Sequence, residues 1–483
     1  MHNPTWLANI LGALEENIDS MTYNPSRTVE NGGRQGTAKV NWRIWLILIT
    51  VLGLAVRAVV FVGFGNSFRS RGSSSGEYDA IAKHVLQGRG FTLDGRYPSI
   101  YTFPGYIYFL AAVYATVGDS PLAVSTIHTL LTALTGVLVF IIGWKVVDVR
   151  VGLLACLITN LLPWLALMTV SLTDGALFAV LTSASFLLAC MMLQSSRWLW
   201  VVLGGMITGL AILVRGPVEV LAPLVVIWLF WKEGARQWKR PAVYVVLIGA
   251  VLSPWMVRNW RVCGRYISLS VAPNYALSEG NNPQIAAFIS ESKTFDMMPE
   301  RYQPLSRSPQ DILQASLLSR AAAIQFIRAH PWETVRLTIR KFFLFYSWSY
   351  WPHKIAGPNG SVEDAPYLRL HSLIYAWSIR PLFILALVGA IIGCSKHREL
   401  LLLTAFLVLL GLGHALVAVF PRYRVPFDPL LAVLAAYGVI WIWDRHVKSL
   451  FAGDVRLASG SSGLERTQQF EPPAVPQDKG ERT

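Results

Sequence analysis

The chain has 483 residues, of which 53% are hydrophobic and only 14% are charged, and its mean hydropathy is +0.45. Because a soluble domain carries about 25% charged residues, this composition excludes an ordinary soluble protein and indicates a membrane protein. The formal net charge of +14 is typical of some nucleic-acid-binding proteins, but Lys and Arg in short cytoplasmic loops explain it more simply. We expect no nucleic-acid partner.

The chain begins with a polar segment, residues 1–41, which we interpret as a cytoplasmic tail. The first apolar run, residues 44–64, is long enough to cross a bilayer and contains Arg57. A charged side chain within a membrane either faces protein or water or extends to the interface. The sequence leaves both interpretations open for Arg57.

Residues 71–106 form a polar loop on the far side of the first span, between long apolar runs. Glu77, Tyr78 and Asp79 lie at the start of a predicted short helix. Because Glu77 and Asp79 are two residues apart, their side chains point in different directions on a helix. Only one of the two is expected to face a site.

The remaining apolar runs predict nine further spans and two helices that lie at the outer membrane surface. The most basic short loop, residues 232–240, is expected in the cytoplasm under the positive-inside rule. That placement requires residues 104–118 and 336–351 to lie at the interface rather than to cross the membrane. The nine further predicted spans are residues 122–147, 151–168, 174–193, 199–214, 217–231, 242–257, 374–394, 401–420 and 426–443.

We therefore predict an all-α polytopic membrane protein with about ten transmembrane helices and interfacial helices in its outer loops. The predicted transmembrane domain, residues 42–452, carries the two outer loops 65–121 and 258–373. The tail 453–483 is rich in Gly, Ser, Pro and charged residues, a composition that predicts a disordered cytoplasmic segment.

The non-cytoplasmic side of this topology collects cationic side chains, against the usual bias. Phospholipid headgroups are one explanation for any single Arg there. For the whole set, a phosphate or pyrophosphate on a lipid carrier is more economical, because Arg binds phosphate through two parallel hydrogen bonds. The cations are Arg258, Arg261, Arg265, Arg340, Lys341, Arg422 and Arg424.

Two further acidic residues lie near these cations. Asp174 begins a predicted span at its outer edge, where it is either a helix cap or dipole partner or a base or a metal or substrate ligand. Asp428 lies within PRYRVPFDP, and an ion pair with Arg422 or Arg424 is its simplest role.

Sequence patterns for metal or cofactor chemistry are missing. No GxGxxG, P-loop, HExxH or GxSxG pattern occurs in a suitable context, so nucleotide chemistry and serine hydrolysis have no support. The cysteines form no CxxC pair, so neither a zinc ribbon nor a redox motif is supported. We expect no cofactor and assign no metal-binding residue, while a metal requirement stays open. His128 and His414 lie in apolar runs, where lone histidines are more often hydrogen-bonded core residues than ligands. The cysteines are Cys156, Cys190, Cys263 and Cys394.

Eight segments follow one another along the chain: YDAIAKHVLQGRGF, TFPGYIYFLAAVYATVGDSPLAV, SLTDGALF, GLAILVRGP, SPWMVRNWRVCGRYISLS, EGNNP, HPWETVRLTIRKFF and PRYRVPFDPLLAVLAAY. In this order they resemble the GT-C membrane glycosyltransferases, in the branch related to protein O-mannosyltransferases and the lipid A aminoarabinose transferase. The resemblance covers most of the chain and rests on the ordered set, especially VRNWRVCGR, EGNNP and PRYRVPFDP.

The resemblance implies an enzyme that moves a hexosyl or pentosyl group from a polyprenyl-phosphate donor to an acceptor, with inversion at the anomeric carbon. The site would lie on the non-cytoplasmic side of the cell (inner or plasma) membrane, and the acceptor would be a glycan, a lipid or a protein. Because the leaving group is already a phosphate, fixed cations suffice to stabilise its charge. One carboxylate is needed as general base toward the acceptor.

The family usually has an Asp four residues before the Tyr of the YxxIA segment, whereas this chain has Ser74 there. Since serine cannot act as that base, Asp79 and Glu77 are joint candidates for the role, and Asp174 matches the second acidic position. By the same matching, Arg258, Arg422 and Arg424, with Arg215 more weakly, are candidates for binding the donor phosphate, and Tyr78 and Tyr106 for shaping the site.

Two other functions stay open. The departure at Ser74 is compatible with a catalytically silent homologue that binds polyprenyl phosphate without transferring sugar. A lipid flippase or transporter is the alternative from another class, but transporters tend to have internal repeats, and no repeat is seen in this sequence. The long outer loop 258–373 favours an acceptor-binding surface instead.

Overall fold

Helices make up nearly all of the secondary structure, so the predicted all-α membrane fold is confirmed. Apart from Asn41, the predicted tails lie outside the described residues, and the predicted domain boundaries stay predictions. The computed structural model describes residues 41–64, 73–290, 308–347, 354–356, 362–364 and 366–447.

The helices are numbered along the chain, and two three-residue strands interrupt them. β1 (Lys354–Ala356) pairs antiparallel with β2 (Val362–Asp364). The first ten helices are α1 (Trp42–Phe64), α2 (Ser73–Leu86), α3 (Pro104–Val117), α4 (Pro121–Val146), α5 (Val149–Leu161), α6 (Pro163–Met168), α7 (Gly175–Gln194), α8 (Trp198–Val214), α9 (Leu221–Glu233) and α10 (Lys239–Cys263). The others are α11 (Ala272–Gly280), α12 (Pro283–Ser290), α13 (Pro309–Ala329), α14 (Pro331–Ser347), α15 (Pro366–Gly393), α16 (Arg398–Leu416), α17 (Pro421–Arg424) and α18 (Asp428–Ile442).

Six segments of the described chain are helical, long and apolar enough to cross a membrane: Trp42–Gly63, Pro121–Val146, Gly175–Gln194, Lys239–Cys263, Arg398–Leu416 and Val425–His446. Shorter apolar helices are Pro104–Val117, Val149–Leu161, Trp198–Val214 and Trp377–Gly393. The predicted span 151–168 is in fact two helices, α5 and α6. Proline has no amide hydrogen to continue a helix, and Pro163 therefore ends α5 and begins α6.

The centre of the helical unit is α18, in which every residue from Asp428 to Gly438 is buried. A helix that is apolar on all sides belongs in a core. Most residues of α7 are also buried, whereas those of α1 are mostly exposed. Helix α18 packs against α15 and α5, and α7 packs against α4 and α8. The buried helices α7 and α18 therefore supply the rigid elements on which a site can be built.

The contact between α15 and α18 depends on small residues. A Cβ at Gly389 would lie 1.8 Å from the Leu434 carbonyl oxygen. We therefore expect Gly389→Ala to lower the free energy of unfolding by about 1–3 kcal/mol, the usual effect of overpacking. Chemical or thermal unfolding in detergent measures it.

The matched control is Gly413→Ala in α16, where a Cβ meets nothing within 4 Å. Alanine is favoured over glycine in a helix by about 1 kcal/mol, so this variant should be as stable as the wild type or slightly more stable. Equal stability of the Gly389 and Gly413 variants would contradict the close helix contact.

Arg57 faces the protein, which decides between the two interpretations left open by the sequence. Its side chain is fully buried. The guanidinium donates to Thr132 Oγ1 at 2.7 Å, to the Gly53 carbonyl at 2.8 Å and to Asn160 Oδ1 at 3.2 Å. Arg57 thereby joins α1 to α4 and α5.

Candidate active site

Two helix ends meet in an ion pair between Asp174 and Arg215. Asp174 directly precedes α7, but its side chain makes no cap hydrogen bond. The structure therefore does not support a side-chain helix cap. The two carboxylate oxygens of Asp174 instead accept from Arg215 Nη2 at 2.6 Å and Nε at 2.9 Å. The side chains are 7% and 18% exposed. This bidentate geometry is the strong form of the Arg–carboxylate pair.

Aromatic rings surround the guanidinium of Arg215. Its central carbon lies 5.6 Å from the Phe178 ring centroid and 5.4 Å from that of Tyr423. Tyr423 belongs to α17 and packs 5.7 Å from the His414 ring. Within the described part of the chain, Arg215 Nη1 is buried and has no hydrogen-bond partner. One donor of the pair is therefore left without an acceptor.

Tyr106 lies between this ion pair and the polar loop. Its hydroxyl is 3.2 Å from His128 Nε2, and both residues are buried, as we expected for a core histidine. The ring packs edge-on against Tyr78 with centroids 5.2 Å apart. The Asp174 carboxylate is close enough to the Tyr106 phenol to interact with it electrostatically. Tyr78, Tyr106 and Asp174 thus lie in one region.

Asp79 is held in a fixed orientation on α2. Oδ1 accepts from the Tyr114 hydroxyl at 2.7 Å, and Oδ2 accepts from Lys83 at 3.0 Å. Lys83 also contacts Asp119 at 2.9 Å. Partial burial lowers the pKa of Lys83. The hydrogen bonds to Asp119 and Asp79 raise it by more than burial lowers it, so the net shift of the pKa is upward. Asp79 keeps 22% of its side chain exposed, and Glu77 on the same helix is also only partly buried.

Arg424 and Asp428 form a buried ion pair. Of the two arginines that the sequence offered as partners of Asp428, the structure therefore pairs it with Arg424. Both side chains are at most 2% exposed. Arg424 donates Nε to Asp428 Oδ1 at 2.8 Å and Nη1 to the Phe345 carbonyl at 3.1 Å. The pair fixes α17, which carries Tyr423. Arg422 is in the same helix, but its side chain lies outside the described residues.

Arg258 fastens the polar loop to α10. Its guanidinium donates to the carbonyl oxygens of Ser99 at 2.7 Å and Phe91 at 3.3 Å. It also lies over the Trp255 ring, 4.6 Å from the centroid. These partners are neutral, so the role of Arg258 toward a phosphate stays a prediction.

Lys341 has a structural role that its place among the outer cations does not predict. It is fully buried, and its ammonium donates to the carbonyls of Gly280 at 2.9 Å and Val417 at 3.1 Å and contacts Asn281 Oδ1 at 3.4 Å. It thereby joins α14 to the EGNNP segment and to the end of α16. Among the residues that the structure describes, no group of three or more His, Cys, Asp or Glu side chains could hold a metal ion.

Part of the chain matches a known family. Residues 101–258 match the family model described as dolichyl-phosphate-mannose-protein mannosyltransferase. This segment contains Tyr106, Asp174, Arg215 and Arg258. A search of curated proteins found no match.

Several solved structures are similar over most of the chain. The archaeal oligosaccharyltransferase AglB from Archaeoglobus fulgidus, in complex with an inhibitory peptide and a dolichol-phosphate, matches with a TM-score of 0.50 and 12% identity, over 89% of this chain and 53% of that one. The apo form of the same organism's oligosaccharyltransferase matches with a TM-score of 0.51 and 14% identity, over 86% and 52%. ArnT from Cupriavidus metallidurans bound to undecaprenyl phosphate matches with a TM-score of 0.39 and 16% identity, over 83% and 78%.

The chain thus spans about half the length of the archaeal proteins. Identities this low show the fold and not the activity. The fold is similar to that of these membrane proteins, and the family model that matches residues 101–258 agrees with the resemblance that the motifs indicate.

Proposed function

We propose that this protein transfers a sugar from a polyprenyl-phosphate donor to an acceptor on the non-cytoplasmic side of the cell membrane. The observation that carries the proposal is the Asp174–Arg215 pair between Tyr106 and Tyr423. These four residues come from four separate motifs of the family. The family match and the dolichol-phosphate in the AglB structure support a polyprenyl phosphate as the lipid class.

Arg215 is the proposed ligand of the donor phosphate. Asp174 orients its guanidinium, and Nη1 is left for a phosphate oxygen. A positioned cation stabilises the negative charge that develops on the leaving phosphate. Arg424 would act as a positioning residue, because with Asp428 it holds Tyr423 over Arg215. Arg258 and Arg422 are further candidate phosphate ligands.

Asp79 is the proposed general base, with Glu77 as its alternative. Tyr114 and Lys83 orient the Asp79 carboxylate, and its exposed edge would accept the proton of the acceptor hydroxyl. The acceptor oxygen then bonds to the anomeric carbon as the bond from that carbon to the phosphate oxygen breaks. Polyprenyl phosphate leaves from the opposite face, and the configuration inverts. Tyr78 and Tyr106 would shape the sugar site.

The experiment supplies membranes containing the protein with a radiolabelled polyprenyl-phosphate sugar and counts label in the acceptor fraction. We expect label with the wild type and at least about tenfold less with Arg215→Gln or Asp174→Asn, since a charged hydrogen bond contributes roughly 1.5–3 kcal/mol. Arg197→Gln is the matched control, because Arg197 is exposed at the other end of α8. No label with the wild type would overturn the proposal.

Ser74 favours one second candidate, the catalytically silent homologue. That protein would retain the radiolabelled lipid without passing sugar to any acceptor. A lipid flippase would instead move the labelled lipid between leaflets with the sugar still attached.

A further inference from the structure

A charged pocket lies at the opposite end of α7 from Asp174. Helix α7 has 20 residues, which span about 30 Å, the thickness of a bilayer's hydrocarbon core. The pocket has a volume of about 410 Å³ and lies between the ends of α7 and α9 and the start of α16. Its lining residues are Leu193, Gln194, Trp228, Trp231, Lys232, Arg398 and Glu399.

Cations crowd this pocket. Lys232 donates one hydrogen bond to the Leu193 carbonyl, and Arg240 behind it donates to the carbonyls of Met192 and Ser195 at 3.0 and 2.8 Å. These bonds satisfy two of the free carbonyls at the end of α7 and the carbonyl just beyond it. Burial lowers the pKa of Lys232, and the charges of Arg240 and Arg398 lower it further, whereas the charge of Glu399 raises it. The cations therefore repel one another.

The single negative charge in the pocket, on Glu399, does not balance the positive charges of Lys232, Arg240 and Arg398. Glu399 lines the pocket with Lys232 and Arg398, and it also accepts from Gln194 Nε2 at 3.1 Å. Lys232 has two further N–H donors beside the one bonded to Leu193, and Arg398 is exposed at the pocket's edge. An anion would relieve the repulsion and accept these hydrogen bonds.

Two tryptophans indicate the source of the anion. Trp228 and Trp231 pack edge-to-face with ring centroids 5.2 Å apart, and Trp231 is 68% exposed. Tryptophan collects at the level of lipid headgroups. A dissolved anion would contact the cations alone, whereas a lipid contacts both the cations and the rings.

We propose that this pocket binds the phosphate headgroup of an anionic membrane lipid, from the leaflet opposite the candidate active site. Basic pockets between transmembrane helices are known to hold such headgroups. This inference does not depend on the proposed transferase activity.

The test uses the purified full-length protein in detergent with phosphatidylglycerol, phosphatidylcholine or inorganic phosphate. Native mass spectrometry counts retained lipid, and thermal unfolding reports binding, because a ligand of the folded state raises the melting temperature. We expect retention and a raised melting temperature with phosphatidylglycerol only. Each removed charge should weaken binding roughly fivefold, so Arg398→Gln should lose fivefold and the double variant Lys232→Gln/Arg398→Gln roughly thirtyfold.

Arg236→Gln is the matched control, since Arg236 is exposed on the same basic loop but does not line the pocket. It should bind phosphatidylglycerol as the wild type does. Arg398→Gln keeps the bonds that close α7, so its loss of binding cannot be assigned to unfolding. Equal retention of both lipids, unchanged binding in the double variant, or a thermal shift with phosphate alone would each overturn the proposal.

Discussion

Asp79→Asn is expected to lower sugar transfer by about 100- to 10,000-fold, the range that general base catalysis contributes. The asparagine side chain keeps the shape of the carboxylate and the contact with Tyr114, but it cannot take a proton. Initial rates of label transfer from the polyprenyl-phosphate sugar measure the effect. Glu77→Gln should cost less than about tenfold if Asp79 is the base.

Asp119→Asn is the matched control, because Asp119 pairs with the same Lys83 but is 52% exposed. Exposed ion pairs contribute about 0.2–1 kcal/mol, so this variant should transfer sugar within about fivefold of the wild type. Equal losses of transfer activity in the Asp79 and Asp119 variants would show that the ion pair with Lys83 is what matters, and that Asp79 is not the general base. Recovery of transfer on adding Ser74→Asp to Asp79→Asn would show that the family's usual position can supply the base.

Asp428→Asn is expected to lower the free energy of unfolding by about 3–5 kcal/mol, because it leaves the buried Arg424 without its counter-charge. Unfolding in detergent, followed by tryptophan fluorescence or heat, measures the loss. Replacing both partners, as Arg424→Met with Asp428→Leu, should recover most of the stability, since apolar residues of similar size often replace a buried pair without cost.

The control for this experiment is Asp444→Asn. Asp444 pairs with Arg150, and the two side chains are 35% and 47% exposed, so the loss should stay below about 1 kcal/mol. A stable double variant that still transfers no sugar would assign Arg424 a role beyond support. An Asp428→Asn variant as stable as the wild type would contradict the importance of the buried pair.

The sequence predicts the type of fold and proposes several residues of the candidate site, because those depend on local patterns. Long apolar runs predict membrane helices, and the position of Asp174 at the start of one such run predicts a carboxylate at a helix end. The sequence does not predict that Asp174 pairs with Arg215, since the two residues are 41 positions apart. Their contact depends on how the start of α7 and the end of α8 pack.

Other parts of the site leave no local signal. Tyr114 lies in an otherwise apolar helix, and only the packing of α2 against α3 brings its hydroxyl to Asp79. In the sequence, Lys341 cannot be distinguished from other interfacial cations. Its buried role depends on the packing of α14 against the EGNNP segment. The break at Pro163, by contrast, does have a local signal in the sequence. Proline breaks helices, so Pro163 could have been used to divide the predicted span 151–168 into two helices.

Arg57 also constrains the order in which the chain is assembled. Its hydrogen-bond partners on α4 and α5 lie 75 and 103 residues further along, so α1 leaves the ribosome before either partner has been synthesised. An unpaired guanidinium is costly in lipid, and we therefore expect α1 to be stable within the bilayer only after α4 and α5 have packed against it. The first span thus depends on later helices for its place in the membrane.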